Sequence, residues 1–178
     1  MLNRMIALTC MGLFALAPLF LAAQDAPAPS PASEVSQVVG LTNVTIAYSR
    51  PGVKDRTIFA ADGLVPFGEI WRTGANAATK ITFDKDVEVG GKALSAGSYA
   101  ILSKPGAESW EVMFFPYESG SWMSYVDKNP AATVTAEAHS MDVFVETFFI
   151  DINNIRDDSA TIDIVWENTY VSIPLSVE

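Results

Sequence analysis

Cysteine and histidine occur once each in this 178-residue chain. Cys10 lies inside an N-terminal apolar run, so everything after it lacks a thiol. That excludes disulfides, thiol catalysis and cysteine-ligated metals from the rest of the chain. His139 alone cannot build a histidine-rich metal site. A Ser-His-Asp relay would have to use it in a polar, turn-like stretch with no Gly-x-Ser-x-Gly elbow nearby. It reads as an exposed or locally bonded side chain. Helical periodicity is missing too, since no long window keeps a stripe at 3.6-residue spacing. Positive charge is scarce: 11 Lys and Arg stand against 21 Asp and Glu, a formal net charge of −10 at pH 7. Such a chain repels phosphate backbones and anionic headgroups, so nucleic acid and membrane surfaces are poor partners. Charged residues are only 18% of the total, which describes a lightly charged surface with a negative bias and not a salt-adapted shell.

What is present begins with an export signal. Arg4 is followed by residues 6–20, apolar apart from Thr9, Cys10 and Pro18. This run is short for a membrane span, which needs about 20 residues, and Ala22-Ala23 before Gln24 offers a cleavage point. Cys10 sits too early for a lipid anchor. Residues 1–23 therefore read as a signal peptide, residues 24–33 as a flexible Pro/Ala/Ser leader and residues 34–178 as one domain, destined for the periplasm or the exterior.

From residue 34 onward the apolar spacing is two. Val44-Ile46-Tyr48, Ile81-Phe83, Trp110-Val112-Phe114, Ile162-Ile164-Trp166 and Val171-Ile173-Leu175-Val177 all alternate with polar or small residues. With turn signals between them, this predicts an all-β antiparallel β-sandwich, jelly-roll or Greek-key, of about eight to ten strands. Gly90-Gly91 reads as a two-residue hairpin turn, and residues 160–167 with 170–177 as a closing hairpin. Leu94-Ser95-Ala96-Gly97-Ser98-Tyr99 matches a corner in which a tyrosine hydroxyl bonds backbone just upstream. Residues 52–68 do not alternate. They predict one long irregular loop with a helical turn near 58–61, either functional or tied down as a cover.

The densest polar and aromatic chemistry is Leu64-Val65-Pro66-Phe67-Gly68-Glu69-Ile70-Trp71-Arg72-Thr73-Gly74-Ala75-Asn76, with a second arginine in Tyr48-Ser49-Arg50-Pro51. Arg50, Trp71, Arg72, Thr73, Asn76 and Trp110 are the candidate ligand-binding residues, because guanidinium groups beside aromatics grip carboxylates, phosphates or sugar hydroxyls. The competing reading makes both arginines structural, paired with Glu69 and Asp84 or bonding carbonyls of the long loop. Glu69 and Glu111, each near a tryptophan, are the candidates for carboxylate chemistry. Asp157, Asp158 and Asp163 lack EF-hand spacing and read as a solvated turn. No residue pattern points to a metal or cofactor.

Four motifs resemble the domain of unknown function 2911 family: Ser36-Gln37-Val38-Val39-Gly40-Leu41-Thr42 running on to Arg50-Pro51; Leu64 through Asn76; Gly91-Lys92-Ala93-Leu94 with Ala96-Gly97-Ser98-Tyr99; and Asp158-Ser159-Ala160-Thr161 with Val171-Ser172-Ile173-Pro174. The resemblance spans nearly the whole chain after residue 33 and departs from the family pattern between Phe115 and Met141. It implies an exported bacterial β-sandwich without an established activity. The resulting expectation is a non-catalytic domain binding a small polar or anionic ligand, or a partner protein. The alternatives are a carboxylate-dependent hydrolase of envelope glycans and a structural envelope module.

Overall fold

A computed structural model of the chain describes residues 27–178; the expected signal peptide lies outside them. The architecture is the predicted all-β antiparallel sandwich. Its strands are β1 (Ala32–Val39), β2 (Thr42–Ser49), β3 (Phe59–Ala60), β4 (Val65–Pro66), β5 (Thr79–Phe83), β6 (Val87–Val89), β7 (Lys92–Leu94), β8 (Gly97–Lys104), β9 (Ser109–Pro116), β10 (Ala132–Asn153) and β11 (Ser159–Val177). Nine form one antiparallel sheet in the order β1-β2-β5-β8-β9-β10-β11-β6-β7, while β3 and β4 pair in parallel. After β5 the chain crosses to the far edge, lays down the β6–β7 hairpin and returns as β8, so the sheet is not a plain meander.

β10 and β11 make the sheet into a sandwich. They run 22 and 19 residues, far beyond the usual five or six. β10 pairs with β9 through residues 132–137 and with β11 beyond them, with register shifts on both sides of Val145. β11 turns at Glu167, whose φ is 56°. Asp163 Oδ1 accepts from Ser172 Oγ at 2.7 Å, although nine residues of straight strand would separate them by about 30 Å. The expected closing hairpin is thus one strand bent back on itself, and each half pairs with β10. Tyr48 Oη and Arg50 Nε donate to the Ile150 and Phe148 carbonyls at 3.0 and 2.9 Å, tying β2 across to β10.

Alternation fills the interior. Ile46, Ile81, Phe83, Ile101, Trp110 and Phe114 meet Phe148, Ile150, Ile162, Ile164, Trp166 and Ile173 in one buried cluster. β8 and β9 are apolar on both faces, and the residues pointing the other way, Ala100, Leu102, Met113 and Phe115, are covered by a 3-10 turn, Trp122–Tyr125. The Tyr125 hydroxyl accepts from the Glu118 and Ser119 N–H groups, both at 2.9 Å, and donates to the Ser119 carbonyl, so this cover is pinned through a fully used phenol.

Two turn readings hold in detail. Gly90 and Gly91 join β6 to β7 with φ of 54° and 75°. Tyr99 Oη donates to the Ser95 carbonyl at 2.8 Å, and burial, with Asp86 nearby, raises its pKa. The helical turn expected near residues 58–61 is absent, because Ile58 is buried and Phe59 and Ala60 pair with β4 instead. Nor is the leader free as far as residue 33: β1 starts at Ala32, and the Pro31 carbonyl accepts from Arg50 N–H at 2.9 Å.

Beside the β1–β2 turn, Asn43 donates from side chain and backbone to the Asp84 carboxylate, and these bonds lower the Asp84 pKa from 3.8. The depressed value adds stability that is present above the unfolded pKa and lost as pH falls through the folded one. In Asn43→Ala the side-chain donor is lost and the backbone one kept, so the Asp84 midpoint read by NMR should rise part of the way toward its ordinary value; an unchanged midpoint would show that the side chain is not a cause.

Candidate functional site

The motif from Leu64 to Asn76 folds as a backbone knot. Gly68 N–H reaches the Pro105 carbonyl at 2.7 Å, and Trp71 exchanges both backbone hydrogen bonds with Ser103 at 2.7 and 2.8 Å. Thr73, Gly74 and Asn76 then take φ of 53°, 148° and 59°. A β-branched residue is rarely left-handed, and Thr73 is held there by buried hydroxyls. Its Oγ1 bonds Ser103 Oγ at 2.9 Å, and its carbonyl accepts from Thr79 Oγ1 at 2.6 Å. At Gly74 a Cβ would stand 3.1 Å from both the Ser49 carbonyl oxygen and Thr79 Oγ1.

Several sequence-predicted site residues are consumed by this knot and by the core. Thr73 is fully buried. Trp71 donates to the Gly74 carbonyl at 3.0 Å, stacks on Trp166 with an 18° interplanar angle, and meets Phe59, Trp110 and Phe148 edge-on. Trp110 is 1% exposed in the same aromatic box, and its Nε1–H has no partner. Arg50 spends its Nε on the Phe148 carbonyl. Asn76 is exposed, and its Nδ2 donates to the Ser30 carbonyl at 3.0 Å and Ser49 Oγ at 3.2 Å.

One cavity of about 270 Å³ opens against this knot. Trp71, Trp166, Arg56, Arg72, Pro51 and Ser30 are among its lining residues, and no carboxylate is. Of the predicted site residues, Trp71 and Arg72 line it, whereas Arg50, Thr73, Asn76 and Trp110 do not. The second arginine at the cavity is Arg56, which sequence reasoning missed because nothing in residues 52–68 marks one position over another. Its Nε and Nη2 donate to the Val53 and Gly52 carbonyls at 2.9 and 2.7 Å, which fixes the guanidinium plane. Trp166 was readable only as the last apolar residue of an alternating strand. Ion pairs among the described residues join Lys104 to Glu111 and Lys128 to Glu118, and none joins an arginine to a carboxylate. Of the two forms of the competing structural reading, the pairing with Glu69 and Asp84 is not made, and Arg50 bonds a carbonyl, though one of β10 and not of the long loop.

Glu69 and Glu111 are exposed and outside the cavity. The aspartate trio divides: Asp157 and Asp158 are solvated, but Asp163 is buried and accepts from Asn153 and Ser172. No group of three or more His, Cys, Asp or Glu among the described residues is placed to hold a metal ion.

Arg72 belongs to the cavity lining, but its guanidinium carbon lies 5.8 Å over the ring of Trp122, which does not, and its buried Nε has no hydrogen-bond partner. Losing the ring contact costs about 0.5–1 kcal/mol, and removing an unpartnered buried donor returns a similar amount. Arg72→Met should therefore unfold in urea within about 1 kcal/mol of wild type. A loss of several kcal/mol would make Arg72 a structural clamp.

A family model described as a protein of unknown function (DUF2911) matches residues 30–175. Neither a curated protein nor a solved structure matches the chain.

Proposed function

The chain belongs to the DUF2911 family, and from that premise we propose that it is an exported, non-catalytic β-sandwich that binds a small anionic ligand in the Arg56 cavity. The observation that carries this reading is a cavity whose lining includes Arg56, its guanidinium fixed by two carbonyls, and no carboxylate, in a chain whose acids outnumber its bases 21 to 11. Arg56 is held by two backbone carbonyls with donors to spare, the arrangement that grips a carboxylate or phosphate with little loss of side-chain freedom. The volume suits a small molecule and lies just below the usual range of about 300–1,000 Å³ for ligand pockets. Trp71, Trp166, Leu64 and Val65 supply apolar wall beside the guanidinium, against which the hydrocarbon part of a ligand can pack. A glycan hydrolase has no support at this cavity, because Glu69 and Glu111 lie elsewhere. A partner protein is favoured by one separate observation, the adjacent exposed side chains Val143 and Phe144 in the irregular middle of β10.

Calorimetric titration of the exported protein with succinate, citrate and inorganic phosphate tests the proposal. At least one anion should bind, and Arg56→Met should weaken it by about tenfold or more, the value of a charged hydrogen bond. Absence of binding by all three, or binding untouched by Arg56→Met, would overturn it.

A further inference from the structure

Three consecutive residues, Pro29, Ser30 and Pro31, each give their carbonyl to a different donor from the rest of the fold. Lys54 Nζ reaches Pro29 at 3.1 Å, Asn76 Nδ2 reaches Ser30 at 3.0 Å, and Arg50 N–H reaches Pro31 at 2.9 Å. Ser30 is also part of the cavity wall, although Pro29 and Pro31 on either side of it are exposed. Proline has no N–H, so beyond Ala32 the β1–β2 ladder goes on only through the single bond from Arg50 N–H to the Pro31 carbonyl. With little side-chain burial, its attachment comes down to three hydrogen bonds of about 0.5–1.5 kcal/mol each. The core behind it is far more costly to open. Asn76 is well chosen for such a tie, since asparagine tolerates the left-handed backbone that aims its amide at Ser30.

We infer that Pro29–Pro31 is a latch forming the outer wall of the Arg56 cavity, held by Asn76, Lys54 and Arg50 and released to admit the ligand. In this assignment Asn76 is a positioning residue that closes the site and does not touch the ligand. The inference rests on the cavity being the binding site, but not on the charge of what enters it.

Tryptophan quenching tests it in a Trp122→Phe background, which leaves Trp71 and Trp166 at the cavity and Trp110 in the core. Asn76→Gly removes the tie and keeps a residue at ease with positive φ. It should raise the acrylamide quenching constant by roughly twofold, and adding Lys54→Met should raise it further. Near-ultraviolet circular dichroism should stay at wild type. Lys54→Met alone, at an exposed lysine, should give a smaller rise and serves as the reading if the Asn76 variant loses its fold. Wild-type quenching in all variants with intact spectra would overturn the latch. Quenching by iodide no stronger than by caesium, with acrylamide access raised, would support the latch while overturning the anionic-ligand proposal.

Discussion

Trp71→Ala should lose about 3–5 kcal/mol of unfolding free energy, because it empties the centre of a box formed by Phe59, Trp110, Phe148 and Trp166. At roughly 2–4 °C per kcal/mol for a domain of this size, the thermal midpoint should fall by about 10 °C. Trp71→Phe keeps a ring but strands the Gly74 carbonyl, which accepts the indole N–H, and should cost only about 1–2 kcal/mol. Urea unfolding of both variants decides the role of this side chain. If the alanine variant lost less than about 1 kcal/mol, the indole would not be the keystone of the box, and its part in ligand contact would have to be reconsidered.

The β6–β7 turn offers the second large effect together with its own control. A Cβ on Gly90 would stand 2.2 Å from Val134 Cγ1, and the φ of 54° is unfavourable for alanine in any case. Left-handed backbone costs about 1–2 kcal/mol and overpacking about 1–3, so Gly90→Ala should destabilise by roughly 2–5 kcal/mol. At Gly91, with φ of 75° and nothing within 4 Å, only the backbone part remains. Gly91→Ala should therefore cost about 1–2 kcal/mol. Pairing Gly90→Ala with Val134→Ala should recover part of the loss in a double-mutant cycle. Equal costs at the two glycines would mean that the hairpin does not press on β10.

Most of the strands were legible because period-two alternation is a local property, and the residues that alternate in β2, β5, β9 and β11 are those that build the buried cluster. Long-range folding left weaker marks. In β11 the core-facing positions are even as far as Trp166 and odd from Val171 onward. That change of parity suggests a turn, and there is one at Glu167, but pairing to β10 depends on residues far away in sequence. The loop over 52–68 reaches the core through Val53, Ile58 and Val65, whose spacing belongs to no regular element. The candidate site was legible as a place more than as a set of contacts. Neighbouring residues in extended backbone point to opposite sides, so Trp71 enters the aromatic box while the Arg72 guanidinium lies over Trp122, beside the smaller cluster. A motif that is dense in sequence is thereby divided between two environments, and Arg56 enters from a segment without pattern.

The crossover of the β6–β7 hairpin sets the order in which the protein can be finished. Residues 87–94 are made in the middle of the chain, yet β6 finds its inner partner, the one that joins the hairpin to the sheet, only at residues 175–177 of β11. Pairings this distant in sequence form slowly, since loop closure precedes any gain from contact. The hairpin cannot be locked before the last strand arrives, so the strand order itself postpones completion until almost the whole domain has been made.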